Sequence, residues 1–388
     1  MNIKNINSQL FNMYLHILPI GVLLSAFFTE YYIQLLLLSL LTVITLVVNI
    51  GNIKMKILIF YLSILVLIII NLLFTDFKSY VGVDSFNLIL FSIIPIILIS
   101  SGLEIKKLEE SFNKTFLICI LYLLIGYILR KKLLIDYFDL GIITHFNVII
   151  LLLSAIIQNK LKPISFILLV TNVFVGLLLG SRMVSIASLI LLVIGIGLVY
   201  RDNKLKNKFW YAFVVFSVYI IYSNIINILN YISGILEIYG INSRNITLFK
   251  QQISNVIQNS SNDSQVYSGR ESIYPRIIEF LKEDGLLPNG LSMGRILTNN
   301  MFYHSHNFVL EILLIFGLIL GILILIIFIA RIAYVFLNLK TSIKFLILLL
   351  CISFFIRSMT GTYFIKDYFF WAFLALILFF KEENIYEQ

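Results

Sequence analysis

Apolar stretches of roughly 16 to 25 residues recur along the whole chain, each about the length that one membrane-crossing helix needs. About twelve can be traced, near 13–28, 31–50, 57–74, 86–103, 113–130, 143–157, 163–180, 183–200, 209–230, 305–330, 345–360 and 363–380. Segments of alternating polarity, which a membrane barrel would need, are not seen, so the spans read as helices. The expected fold is therefore all-α, a polytopic integral membrane protein with about twelve transmembrane helices. Composition agrees: 60% of the 388 residues are hydrophobic and 13% charged, against about half apolar in soluble domains. The net charge of +9 does not point to nucleic acid, because the basic residues are spread among short connectors and form no patch. Cys119 and Cys351 lie inside apolar runs, where cysteine behaves as a small hydrophobe, so neither a disulfide framework nor a cysteine metal site is indicated. No small-residue cleavage site follows the first run, which reads as a retained helix.

Charge sets the expected orientation. With the N-terminus inside, Lys54, Lys56, Lys106, Lys107, Lys114, Lys160, Lys162 and the basic residues of 201–208 fall on cytoplasmic connectors. The short outer connectors carry fewer, as the positive-inside rule requires. Both termini are then cytoplasmic. The whole of 1–388 reads as one integral membrane domain, with 231–304 as a single large extracytoplasmic loop between the ninth and tenth spans. Within that loop Ile273, Ile277, Phe280 and Leu281 recur at helical spacing, predicting an amphipathic helix over about 270–283 with Pro275 in its first turn. Asp284-Gly285 and Pro288-Asn289-Gly290 then supply turn chemistry.

Two of the chain's four histidines lie one residue apart where this loop re-enters the membrane, in Tyr303-His304-Ser305-His306-Asn307-Phe308-Val309-Leu310-Glu311. Imidazole titrates near neutral pH and can take a proton from a hydroxyl, so His306 or His304 is a candidate general base. The alternative is a histidine pair that merely closes the tenth helix, with Asn307 and Glu311 bonded one turn apart. A bare His-x-His lacks the further ligands of a zinc site. His16 and His145, in or beside apolar runs, read as hydrogen-bonded packing residues.

Three arginines stand at outer positions against the positive-inside trend: Arg182 in the tight Gly180-Ser181-Arg182 connector, Arg270 at the start of the loop helix, and Arg357 near the end of the eleventh span. Guanidinium forks suit bidentate binding of phosphate. Each also has a plain structural reading: snorkelling for Arg182, a solvated loop position for Arg270, and pairing with Asp367 or with a helix C-terminus for Arg357.

Taken together, His306-Asn307 with Leu310, Glu311, Gly317 and Gly321, the Gly180-Ser181-Arg182 element, and Ser268-Gly269-Arg270 through Pro288-Asn289-Gly290 resemble the O-antigen polymerase and O-antigen ligase superfamily. The residue resemblance covers these three short segments, and the hydropathy resemblance nearly the whole chain. The loop departs from the pattern in lacking an aromatic residue soon after its arginine, with Tyr274 the nearest substitute.

The resemblance implies a GT-C-like bacterial inner-membrane glycosyltransferase that is inverting and uses no metal or other cofactor. Its donor and acceptor would be polyprenyl-diphosphate-linked oligosaccharides, met on the extracytoplasmic face. His306 would be the base or acceptor-orienting group, and Arg182 and Arg270 would bind the diphosphate. His304, Asn307, Glu311, Tyr274, Arg276 and Arg357 would be supporting residues. The lipid bilayer, a flippase and a chain-length regulator are the partners implied, and nucleic acid is not. A polymerase is favoured over a ligase. A transporter or flippase is the rival from another class, and it would favour charged or helix-breaking residues within the spans, whose centres read as clean.

Overall fold

The computed structural model describes residues 2–200, 204–238, 243, 246–251, 270–298, 303–338, 341–359 and 363–379. Among them the chain is helical and contains no strand. Six helical segments among the described residues are long and apolar enough to cross a membrane: Tyr32–Asn52, Met55–Phe74, Lys78–Ser101, Lys106–Lys131, Tyr137–Ile157 and Phe308–Asn338. The chain divides into two compact units, Met1–Ser111 with Arg270–Gln388 and, inserted between them in sequence, Phe112–Gly269.

The first unit contains α1 (Ile3–Leu24), α2 (Glu30–Asn49), α3 (Met55–Phe74) and α4 (Lys78–Ser101). α5 (Ile105–Lys114) follows and runs across the boundary between the units. α1 starts about ten residues before the apolar run expected at 13–28. Its early polar side chains are placed inside rather than in solvent. Asn7 donates to Asn49 Oδ1 at 3.0 Å and to the Gly102 carbonyl at 3.2 Å, and Ser8 Oγ accepts the Glu104 amide at 2.8 Å. A hydropathy scan sees those residues as breaks, whereas paired polar groups are tolerated in a packed interior.

α4 is the hub of this unit, packing on α1, α2, α3 and the last helix. Pro95 lies inside α4 and cannot donate to the carbonyl of Phe91. The Tyr14 hydroxyl donates to that carbonyl instead, at 2.9 Å, and the Tyr14, Phe91 and Tyr368 rings pack at 5.0–5.2 Å.

The second unit is built round α7 (Tyr137–Ile157), which packs on α6 (Phe116–Lys131), α8 (Pro163–Leu179) and α9 (Arg182–Val199). Asp136 and Asp139 form a reciprocal capping box at its start. Inside, Asn147 donates to Asn172 Oδ1 at 2.9 Å, and His145 Nδ1 pairs with Ser188 Oγ at 2.8 Å, the packing role expected for His145. The Gly180-Ser181 turn lies against α7 at Gly141. A Cβ on Gly180 would come within 2.7 Å of the Gly176 carbonyl oxygen, and one on Gly141 within 2.9 Å of the Ser181 amide nitrogen. α10 (Lys204–Ile238) follows, kinked at Asn224, and continues past 230 into sequence read as loop.

The remaining helices return to the first unit: α11 (Arg270–Glu283), α12 (Met293–Leu297), α13 (Phe308–Asn338), α14 (Thr341–Ser358) and α15 (Tyr368–Phe379). α11 has the bounds expected, and its face of Ile273, Ile277 and Leu281 packs on Leu314 with Leu310, Leu313 and Leu318 around it. Pro275 sits at the sixth residue of α11 and not in its first turn. α15 opens later than the apolar run at 363, because a 3-10 turn occupies 364–366. Asp367 then caps the helix, its Oδ1 accepting the amides of Phe369 (2.8 Å) and Phe370 (3.1 Å).

The largest departure is α13. The run at 305–330 was expected to be one continuous helix with a clean centre. It is broken at Gly317, whose φ of 72° and ψ of 169° belong to a region open essentially to glycine alone. The two arms fold back on one another. Phe308 and Phe328 would be about 30 Å apart on a straight helix, yet their ring centroids are 5.8 Å apart. Gly321 permits the fold, since a Cβ there would come within 3.1 Å of Leu313 Cα.

The amides and carbonyls freed at the bend find partners in the turn after α11. Leu318 donates to the Gly285 carbonyl at 2.7 Å, and Asn289 and Gly290 donate to Ile315 at 3.2 and 2.9 Å. Asn289 Nδ2 donates to the Leu314 carbonyl at 3.2 Å.

Candidate functional site

The fold-back moves the histidines. The short arm, 308–316, runs from Asn307 up to the bend, so its start lies beside the middle of the long arm, 318–338, and not at that arm's N-terminal end. Phe308 is anchored there by Phe328, Phe354, Phe364 and Phe370, with ring centroids 5.0–5.8 Å away. Asn307 caps the short arm, its Oδ1 accepting the amides of Val309 (2.9 Å) and Leu310 (3.2 Å). Glu311 does not bond the Asn307 side chain as the capping alternative supposed. Its Oε2 reaches back to the Ser305 amide at 2.7 Å, a bond that pulls the His304-Ser305-His306 segment against the helix start. Glu311 is 2% exposed, and Gly294 of α12 packs on it so closely that a Cβ would lie 3.0 Å from Oε2.

His306 has a φ of 56°, in the left-handed region that L-residues enter at a cost. Its ring packs on that of His304 at a tilt of 49°, with centroids 4.3 Å apart, and His304 lies nearly parallel to Tyr363 at 5.2 Å and 21°. The Tyr363 hydroxyl donates to Asp84 Oδ2 at 2.8 Å, and the buried Ser292 hydroxyl donates to the same oxygen. Tyr363 thus serves as a hydrogen-bond donor to the carboxylate. Asp84 lies six residues into α4, about 9 Å from its start.

Positive charge enters the same cluster through Arg295 and Lys366, both close enough to act on Asp84. The Arg295 guanidinium lies 3.9 Å from the Tyr80 ring centroid and 4.7 Å from that of Tyr303. The cation is thus packed between two aromatic faces.

Several expected residues are placed elsewhere. Arg357 is 5% exposed and pairs with the buried Asp367 at 3.6 Å, the structural reading. Tyr274 packs in the core under α11, and Arg276 is exposed. Arg182 and Arg270 open α9 and α11, but their side chains lie outside the described residues. Sequence reasoning passed over Asp84, Ser292, Arg295, Tyr80, Tyr303 and Tyr363 as site members. A signal existed for Asp84, a carboxylate just inside an apolar helix. Arg295 carried none.

Among the described residues no three His, Cys, Asp or Glu side chains converge to hold a metal ion. The arrangement offers a proton acceptor, a fixed neutral donor, two partly or fully buried carboxyls and a clasped cation, gathered among otherwise apolar helices. Set against models of protein families the chain matches none, and a search among curated proteins returned no match.

Proposed function

We propose that the chain is a bacterial polysaccharide polymerase, serving O-antigen, capsule or exopolysaccharide synthesis. It would be an inverting glycosyltransferase that joins polyprenyl-diphosphate-linked repeat units on the outer face of the cytoplasmic membrane. The observation that carries this reading is the histidine pair packed on Tyr363, whose hydroxyl bonds Asp84, in one polar cluster with Arg295. About twelve crossings, cytoplasmic termini and an extracytoplasmic site belong to the same proposal. The bend at Gly317 then faces outward, with the histidines recessed roughly halfway along the long arm, about 15 Å from the bend.

The acceptor hydroxyl loses its proton to His306 while its oxygen forms a bond to the anomeric carbon. The bond from that carbon to the diphosphate breaks, and the electron pair leaves with the diphosphate. Guanidinium groups stabilise that charge. The resemblance assigns this task to Arg182 and Arg270, and Arg295 is a further cation beside the histidines. A ligase would use the same chemistry on a different terminal acceptor.

The transporter reading gains support from α13. A broken helix whose free backbone groups meet a re-entering turn, beside Asp84 and Glu311 in apolar helices, is the construction that binding sites of secondary transporters use.

One experiment separates the readings. Protein reconstituted in vesicles receives purified polyprenyl-diphosphate-linked repeat units on the face carrying the loop. A glycan ladder from the wild type and none from His306→Ala supports the polymerase. No ladder from either, with His306-dependent movement of lipid-linked units across the bilayer, moves the assignment to transport.

A further inference from the structure

The second unit holds a pocket of about 210 Å³ where α7 ends and α8 begins. Phe116 and Leu151 give it an apolar floor, while Gln158, Lys160 and Lys162 make its rim polar. In the sequence Lys160 and Lys162 counted only as markers of orientation. Three features define what the pocket can take.

Charge is the first. Two lysines and no acidic residue line the pocket. The second is the state of the α7 terminus, whose carbonyls would repel an anion if left open. Three of the last four are occupied: Gln158, Asn159 and Lys160 donate to Ser154, Ile156 and Ala155 at 3.1–3.2 Å, with Asn159 in the left-handed region at φ 50°. Meanwhile Ile164 and Ser165, in the first turn of α8, lie on the same rim. The third is a fixed back wall, because Asn113 Oδ1 accepts from Ser154 Oγ at 2.6 Å and also from Gln158 Nε2. The volume is below the range that holds a whole drug-sized ligand, about 300 Å³ and up. It takes a group rather than a molecule.

We propose that this pocket binds the phosphate of an anionic phospholipid, with the phosphodiester between Lys160 and Lys162 and the first methylenes on Phe116, Leu151 and Ile164. The acyl chains remain in the bilayer. The site is separate from the histidine cluster and needs only that the helices lie in a membrane. It would stand if the polymerase reading fell. A free phosphate offers the same chemistry without the apolar part, so the test must tell the two apart.

Delipidated protein is given phosphatidylglycerol, phosphatidylcholine or inorganic phosphate in detergent, and bound lipid is counted by native mass spectrometry alongside thermal unfolding. Wild type should retain phosphatidylglycerol over phosphatidylcholine and unfold at higher temperature with it. Lys160→Gln with Lys162→Gln should weaken that retention on the order of tenfold or more, since each lysine near an anionic surface contributes roughly a factor of five. Lys131→Gln with Lys132→Gln, in the same unit and outside the pocket, should leave it unchanged. Equal stabilisation by inorganic phosphate would replace the lipid with a free anion. Equal loss in both double variants, or no preference over phosphatidylcholine, would overturn the site.

Discussion

At the scale of single residues, His306 combines a functional side chain with a backbone that L-residues avoid. Replacing it separates the two. His306→Gly relieves the left-handed strain, a relief worth about 1 kcal/mol, and should leave thermal unfolding unchanged or raised. Chain extension should nonetheless fall about a hundredfold or more, the usual worth of a general base. His306→Ala should lose the same activity without the gain in stability. If both variants unfold early, the imidazole is a packing group.

Tyr363→Phe removes one of two hydroxyls that satisfy Asp84 and should cost about 1–3 kcal/mol, as an unsatisfied buried acceptor does. Equilibrium unfolding of wild type and variant checks this, and unchanged stability would mean that the Ser292 hydroxyl alone satisfies Asp84.

Arg357 is the counter-case, a cation whose partner could be named from the sequence. Arg357→Ala strands the buried Asp367 and should cost roughly 3–5 kcal/mol. Adding Asp367→Asn, which keeps an oxygen to cap α15, should recover much of that in a double-mutant cycle of unfolding free energies. The residues that sequence reasoning missed share one trait. Asp84, Ser292 and Tyr363 are more than 60 positions from one another along the chain, and only folding brings their oxygens to one point.

At the scale of elements, the sequence was most informative where a pattern was local. α11 has the bounds expected because Ile273, Ile277 and Leu281 share one helical face, although Pro275 lies beyond its first turn. The α7 capping box rests on equally local chemistry, between Asp136 and Asp139. α13 was misread because hydropathy records how apolar a run is and is blind to its direction. Gly317 and Gly321 were noticed as spaced glycines, but their consequence depends on backbone groups supplied by Gly285, Asn289 and Gly290. Gly317→Ala meets two obstacles, a φ of 72° and the Leu287 carbonyl oxygen 2.4 Å from the new Cβ. It should cost on the order of 3 kcal/mol or more, seen as loss of folded protein and faster amide exchange across 285–290. Unchanged exchange there would show that the turn does not depend on the bend.

At the scale of the molecule, the all-helical class and the apolar helices were legible from composition and run length alone. The division into two units was not, because it depends on which helices touch. Orientation is the proposal that whole-cell chemistry checks most directly. Leu287, 71% exposed in the turn at the bend, and Lys160 on an inner connector are expected on opposite sides. Leu287→Cys should react with an impermeant maleimide in intact cells, and Lys160→Cys only after permeabilisation. Reaction of both from outside would reverse or abolish the assigned topology. Background should be small, since Cys119 is buried and Cys351 partly so.

The doubled-back α13 also separates order along the chain from position along an axis. Gly290 and Gly317 stand at the same level, joined through Ile315, while His306, which lies between them in sequence, hangs roughly halfway down the long arm. A profile that plots depth against residue number as a single descent would therefore draw this segment as a straight line where the chain makes a plunge and a return. Any probe scanned residue by residue from 290 to 330 should report two maxima of accessibility with a trough at the histidines, and the trough, not the second maximum, marks where chemistry would be found.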